Sequence, residues 1–70
     1  MKVKNVIRGL MKEYVLKEIN IITDDRVAFS GNYENWATPD LSMILYKKEI
    51  ENSEVKKRMI HNNSKAFIFI

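Results

Sequence analysis

The stretch Val3–Phe29, VKNVIRGLMKEYVLKEINIITDDRVAF, decides the fold. Val3, Val6, Ile7, Leu10, Met11 and Tyr14 recur at helical intervals, and the rhythm then changes. From Ile19 to Ile21 and from Val27 to Phe29 the apolar residues step by two. A period of 3.6 giving way to a period of 2 marks an amphipathic helix that leads into a β-hairpin. The spacing predicts a helix over residues 3–14 with Asn5 as its cap, a strand over Leu16–Thr23 and a second over Val27–Gly31. Val27 and Phe29 are expected to point inward. Thr23-Asp24-Asp25-Arg26 supplies the turn, because Asp tolerates turn geometry and bonds nearby amides. Gly9 lies inside the helical pattern, where it costs about 1 kcal/mol relative to Ala; it either admits a close strand or is a tolerated defect.

Downstream, Gly31–Ala37 reads as a loop holding Tyr33 and Trp36. Thr38-Pro39-Asp40 opens a second helix that runs to about Lys48, with a cap, a first-turn proline and an acid at the positive end of the dipole. Leu41, Ile44 and Leu45 form its apolar face, and residues 49–54 form a polar connection. Val55–His61 alternates as a third strand, with Val55, Lys57, Met59 and His61 on one face and Lys56, Arg58 and Ile60 on the other. Lysines on both faces suit an edge strand. Asn62-Asn63-Ser64 signals a turn, and Lys65–Ile70 is a last strand that is apolar on both faces, as a central strand would be.

The expected architecture is therefore one α+β domain over residues 1–70: helix, hairpin, helix, hairpin, with a four-stranded antiparallel sheet in spatial order 2-1-4-3 and two helices on one face. The expected core is Ile7, Leu10, Ile19, Ile21, Phe29, Leu45 and Ile68.

Seventy residues bury only about 60% of the unfolded surface, so stability should be modest. There is no Cys to staple the chain, and a single His cannot build a zinc site. Apolar residues make up 46% and charged residues 30%, a globular composition. No segment reaches the ~20 apolar residues needed to span a bilayer, and the first fourteen residues are too interrupted by charge for a signal peptide. A cytoplasmic, non-membrane protein is the expectation.

Catalysis finds no constellation here. His61 reads as a strand-end histidine with no Ser or Cys nucleophile beside it, and Asp24-Asp25 as solvated turn residues. Glu49, Glu51 and Glu54 lack a calcium-loop spacing, and no phosphate loop or dinucleotide fingerprint is present. The expectation is a protein that is not an enzyme, with no catalytic residue, cofactor or metal.

Binding remains. The net charge is +3, with basic clusters at Lys47-Lys48 and Lys56-Lys57-Arg58 interspersed with acids. Lys56, Lys57, Arg58 and Lys65 are candidate phosphate contacts. Tyr33 and Trp36 are either interface anchors or, for Trp36, the closure of one end of the core. Two short helices cover only one face of the sheet, so Phe67 and Phe69, or Ala66, Ile68 and Ile70, should stand on a bare face. Two functions follow: a protein-interaction module acting on a partner or on itself through Tyr33, Trp36, Phe67 and Phe69, or a weak nucleic-acid-binding accessory using the basic third strand.

Met1–Ile7, Glu18-Ile19-Asn20-Ile21, the Phe29-Ser30-Gly31 strand end and the closing Ala66–Ile70 together resemble small uncharacterised proteins of phages and conjugative elements from A/T-rich Gram-positive bacteria. Those proteins start with a helix, carry a strand ending in Gly and finish on an Ile-rich strand. The resemblance implies a small accessory role and transfers no functional residue. The abundance of Ile, Lys and Asn, whose codons are A/T-rich, points to a similar genome.

Overall fold

A computed structural model describes all 70 residues, Met1–Ile70. The elements in order are α1 (Val3–Glu13), β1 (Glu18–Ile22), β2 (Val27–Asn32), α2 (Tyr33–Ala37), a 3₁₀ turn (Leu41–Met43), α3 (Ile44–Glu51), β3 (Lys57–His61) and β4 (Lys65–Phe69). The class is α+β with one four-stranded sheet, ordered β2-β1-β4-β3.

The sheet is mixed, not antiparallel throughout. β1 pairs antiparallel with β2, and β3 antiparallel with β4, but the central pair β1/β4 is parallel. The reason lies in residues 33–56. β2 and β3 occupy opposite edges and point the same way, so the chain must travel back along the sheet between them. Strands of the same sense need a crossover of a dozen or more residues, and the run through α2, the 3₁₀ turn and α3 provides it.

α1 buries Val3, Val6, Ile7 and Leu10, the i, i+3, i+4, i+7 stripe of its sequence. These join Ile19 and Ile21 of β1, Ala66 and Ile68 of β4, Leu16, Trp36 of α2 and Ile50 of α3 in a single core. All four of the strand residues lie on one face of the sheet, since Ile19 stands opposite Ala66 and Ile21 opposite Ile68. Asn5 does not cap α1: Lys2 takes that position without a side-chain bond. The helix start is instead pinned by backbone bonds, Val3 N–H to Ser53 O at 3.0 Å and Val55 N–H to Met1 O at 2.9 Å. Gly9 faces open space, with nothing near where a Cβ would stand, so it admits no close strand.

Three expected elements are displaced. Residues 33–37, expected as loop, form α2, because the Asn32 side chain accepts the Asn35 N–H at 2.9 Å and starts a helix directly off the strand. Thr38 ends α2 instead of opening α3, its hydroxyl donating to Glu34 O. The 3₁₀ turn then resets the phase of α3. Tyr46 turns inward with its hydroxyl on Ala28 O at 3.0 Å, and Ile50 one turn later enters the core. Leu41 and Leu45 consequently point to solvent, 89% and 75% exposed, and Leu45 is not a core residue. Phe29 is partly rather than fully buried.

Val27 also points outward, at 58% exposure. The β1/β2 register shifts between Ile21 and Ile22, so Val27 pairs with Ile22 while Phe29 pairs with Ile21. One extra residue in β2 reverses the alternation, as a bulge does. At the other hairpin Asn62 and Asn63 both adopt positive φ, 52° and 57°. These two left-handed residues are the centre of a β-turn closed by Ser64 N–H to His61 O at 3.2 Å, within a three-residue connection between the paired His61 and Lys65, and Asn accepts that conformation at low cost.

Candidate functional site

β4 is the strand that defines the surface. Its alternation places Ala66 and Ile68 in the core and leaves Lys65, Phe67 and Phe69 partly exposed on the opposite face. No helix residue of the core reaches that face, because all three helices pack on the other side.

Register assigns the neighbours. Phe67 stands between Asn20 of β1 and Met59 of β3; Phe69 stands between Ile22 and Lys57; Lys65 stands between Glu18 and His61. Met59 is 48% exposed. Directly opposed residues on one face have Cβ atoms about 4.5–5.5 Å apart. Phe67, Phe69, Met59, Ile22 and Val27 thus make one apolar surface, with Lys57, Lys65 and His61 along its β3 side and end. Toward the Glu18–Asn32 end of the β1/β2 pair the face turns polar. The Asn20 amide is buried there, donating to Glu18 Oε2 at 2.9 Å and accepting the Ser30 hydroxyl at 2.7 Å.

The sequence-named residues separate into three places. Phe67 and Phe69 come together on the open face, joined by Lys57 and Lys65. Lys56 lies just before β3, its ammonium on Asp24 Oδ2 at 3.0 Å, and Arg58 stands opposite Ile68, on the helix side of the sheet. The basic set Lys56, Lys57, Arg58 and Lys65 is therefore not one surface: a strand sends alternate residues to opposite faces. Trp36 is 5% exposed and packs edge-on to Phe29 at 5.1 Å between ring centroids, which makes it core. Tyr33 is partly buried at the start of α2, where its N–H bonds Lys17 O. Neither lies on the open face.

Met59 and the cofacial placement of Lys57 with the two Phe rings were not drawn into one site by sequence reasoning. Alternation alone puts Lys57, Met59 and His61 on one face; what was missing is the β3/β4 register that joins this face to Phe67 and Phe69.

A cleft of about 200 Å³ lies between α2 and α3, away from the open face, lined by Phe29, Trp36, Met43, Tyr46, Lys47 and Asp40 among others. The Lys47 ammonium sits 5.2 Å from the centre of the Trp36 ring, a cation–π contact that closes one wall. His61 is exposed and stands beside Lys65, and Asp24 and Asp25 are exposed at the hairpin tip. No three metal-ligating side chains come together, and every buried side-chain polar atom has a partner. No helix is long and apolar enough to cross a membrane.

Glu54 is the one carboxyl group clearly displaced from its ordinary acidity. The α-amino group of Met1 donates to Glu54 Oε2 at 2.8 Å and holds the carboxyl below the usual value, with Lys2 adding to the effect. It is exposed and lies off the open face, where it ties the start of α1 to the segment ahead of β3.

Compared with protein families, curated proteins and solved structures, the chain finds no match in any of the three.

Proposed function

We propose that the protein is a small accessory binding module, not an enzyme, and that its ligand docks on the sheet face turned away from the helices. The observation that carries this reading is the set formed by the partly exposed Phe67 and Phe69 and the exposed Met59, on a face that no helix covers. Partial exposure of these rings forgoes a share of the ~1.5–3 kcal/mol that full burial of a large apolar side chain gives, and a small apolar patch rimmed by charged and polar residues suits a binding surface. A protein surface, a second copy of the chain included, is one occupant suited to such a face. One specific observation favours a second: Lys57 and Lys65 share the face with the rings, which suits a polyanion. An intracellular role on a mobile element, as the sequence resemblance implies, belongs to the same proposal.

Binding of anilinonaphthalene sulfonate, an anionic apolar dye, tests the surface without a known ligand. The native protein is expected to enhance the dye's fluorescence. Phe67→Ser and Phe69→Ser should each remove most of the enhancement while the far-UV spectrum and cooperative melting persist. No enhancement by the native protein, or an enhancement unchanged in both variants, would contradict the reading.

A further inference from the structure

Taking the open face as the binding surface, we infer that its occupant is an extended single strand of nucleic acid, with two successive bases stacked on Phe67 and Phe69 and its phosphates met by Lys57 and Lys65. The inference rests on the reading just given and names the ligand class.

The rings are two residues apart on one strand, so their bases of attachment are separated by about 6.6 Å. A duplex stacks its bases about every 3.4 Å along each strand. Rings at twice that interval fit bases that have been splayed apart, as in a single strand, and stacking on an aromatic face is tolerant of sequence. The major groove admits an α-helix or a two-stranded ribbon, so a four-stranded face reaches duplex only by spreading a minor groove, whereas a single strand can lie across it without that deformation.

Charge agrees. Lys57 lies directly beside Phe69, and Lys65 lies two residues before Phe67 with His61 beside it. The acids nearby lie at the ends of the face, Glu18 beside Lys65 at one end and Asp24 and Asp25 on the hairpin tip at the other, which leaves Lys57 as the lysine with no acid opposite it. Glu18 accepts the Asn20 amide, and Asp24 is held by Lys56. The whole chain carries a net charge of +3.

A protein partner fits less well on area and composition. Four strands spaced about 4.8 Å, each about 17 Å long, give a footprint of roughly 300 Å². Even doubled for side-chain relief, this falls short of the ~800 Å² per partner that a stable complex buries. Lysine is also depleted at protein interfaces.

The test is fluorescence anisotropy with a labelled ten-residue oligothymidylate and its oligouridylate counterpart, each against the matching duplex, from 20 to 150 mM salt. The expected result is binding of the single strands at least tenfold tighter than the duplex. Phe67→Leu, which keeps the position apolar, should weaken single-strand binding by about tenfold, the scale of one lost base stack. Lys57→Ser and Lys65→Ser, both on the surface, should each flatten the slope of log affinity against log salt by about 0.7. Melting curves of all three variants control for folding. Absence of binding at 20 mM salt overturns the inference, as does equal affinity for single strand and duplex with no effect of Phe67→Leu. If the oligonucleotides fail while dye binding still depends on Phe67, or sedimentation shows self-association that Phe67→Ser abolishes, the nucleic-acid assignment falls and the open-face reading survives with a protein occupant.

Discussion

Asn20 and Phe67 stand side by side across the parallel β1/β4 pair, a buried amide next to a partly exposed ring. The amide marks where the open face changes from polar to apolar, and it is held by Ser30, whose hydroxyl donates to Asn20 Oδ1 at 2.7 Å. Removing that donor leaves a buried acceptor without its closest partner. Ser30→Ala should destabilise the fold by about 1 kcal/mol, measured by urea denaturation. An unchanged midpoint would show that water replaces the hydroxyl without loss.

The core makes a paired prediction. Leu10 is 5% exposed and Ile21 fully buried. Leu10→Ala or Ile21→Ala should cost about 2–5 kcal/mol, comparable with the entire stability of a domain this small. Leu45, turned outward on α3, should tolerate Ala within about 0.5 kcal/mol. Thermal melts of the three variants separate the arrangement seen from one in which Leu45 packs against the sheet: a large loss for Leu45→Ala would place α3 in the other phase.

Gly9 gives a prediction of opposite sign. It lies inside α1, and an added Cβ would meet nothing. Gly9→Ala should therefore raise stability by about 0.5–1 kcal/mol, through helix propensity and a less flexible unfolded chain. A lower melting temperature would mean that α1 packs more closely at this point than the structure has it.

These residues also show what the sequence made legible. The stripe Val3, Val6, Ile7, Leu10, the alternation of β1 and the Asn62-Asn63 turn are local patterns, and each follows from the geometry of one element. The two-sided apolar character of β4 likewise follows from composition, and with it the open-face Phe67 and Phe69. What did not follow was set by relations between elements. The parallel β1/β4 pairing depends on where residues 33–56 deliver the chain, which no local period records. The phase of α3 depends on a single 3₁₀ turn and on the Tyr46 bond to Ala28, and the outward Val27 depends on a bulge. The candidate site was half legible for the same reason: Lys57 and Phe69 become neighbours only through the β3/β4 register.

The Met1–Glu54 contact predicts a pH dependence. Its carboxyl is held below the ordinary value of 4.5 chiefly by the hydrogen bond from the α-amino group. A folded-state pKa below the unfolded one means that the contact stabilises above pH 4.5 and that its contribution disappears as pH falls through the lower folded value. Because the pair is exposed, the effect on overall stability should be slight. NMR titration of the Glu54 carboxyl should show a midpoint below 4.5, and acetylating the α-amino group should return it toward that value. A midpoint indifferent to acetylation would contradict the pairing.

Everything proposed about binding depends on one face of the sheet being covered and the other bare. Paramagnetic relaxation by a soluble gadolinium chelate, read on side-chain NMR signals in dilute solution, measures that asymmetry directly. The Met59 methyl and the Phe67 and Phe69 rings should relax strongly, while the methyls of Ile19, Ile21 and Ile68 remain protected by the helices. Equal protection of Phe67, Phe69 and Ile68 would mean that β4 is covered on both sides, and the open face would not exist.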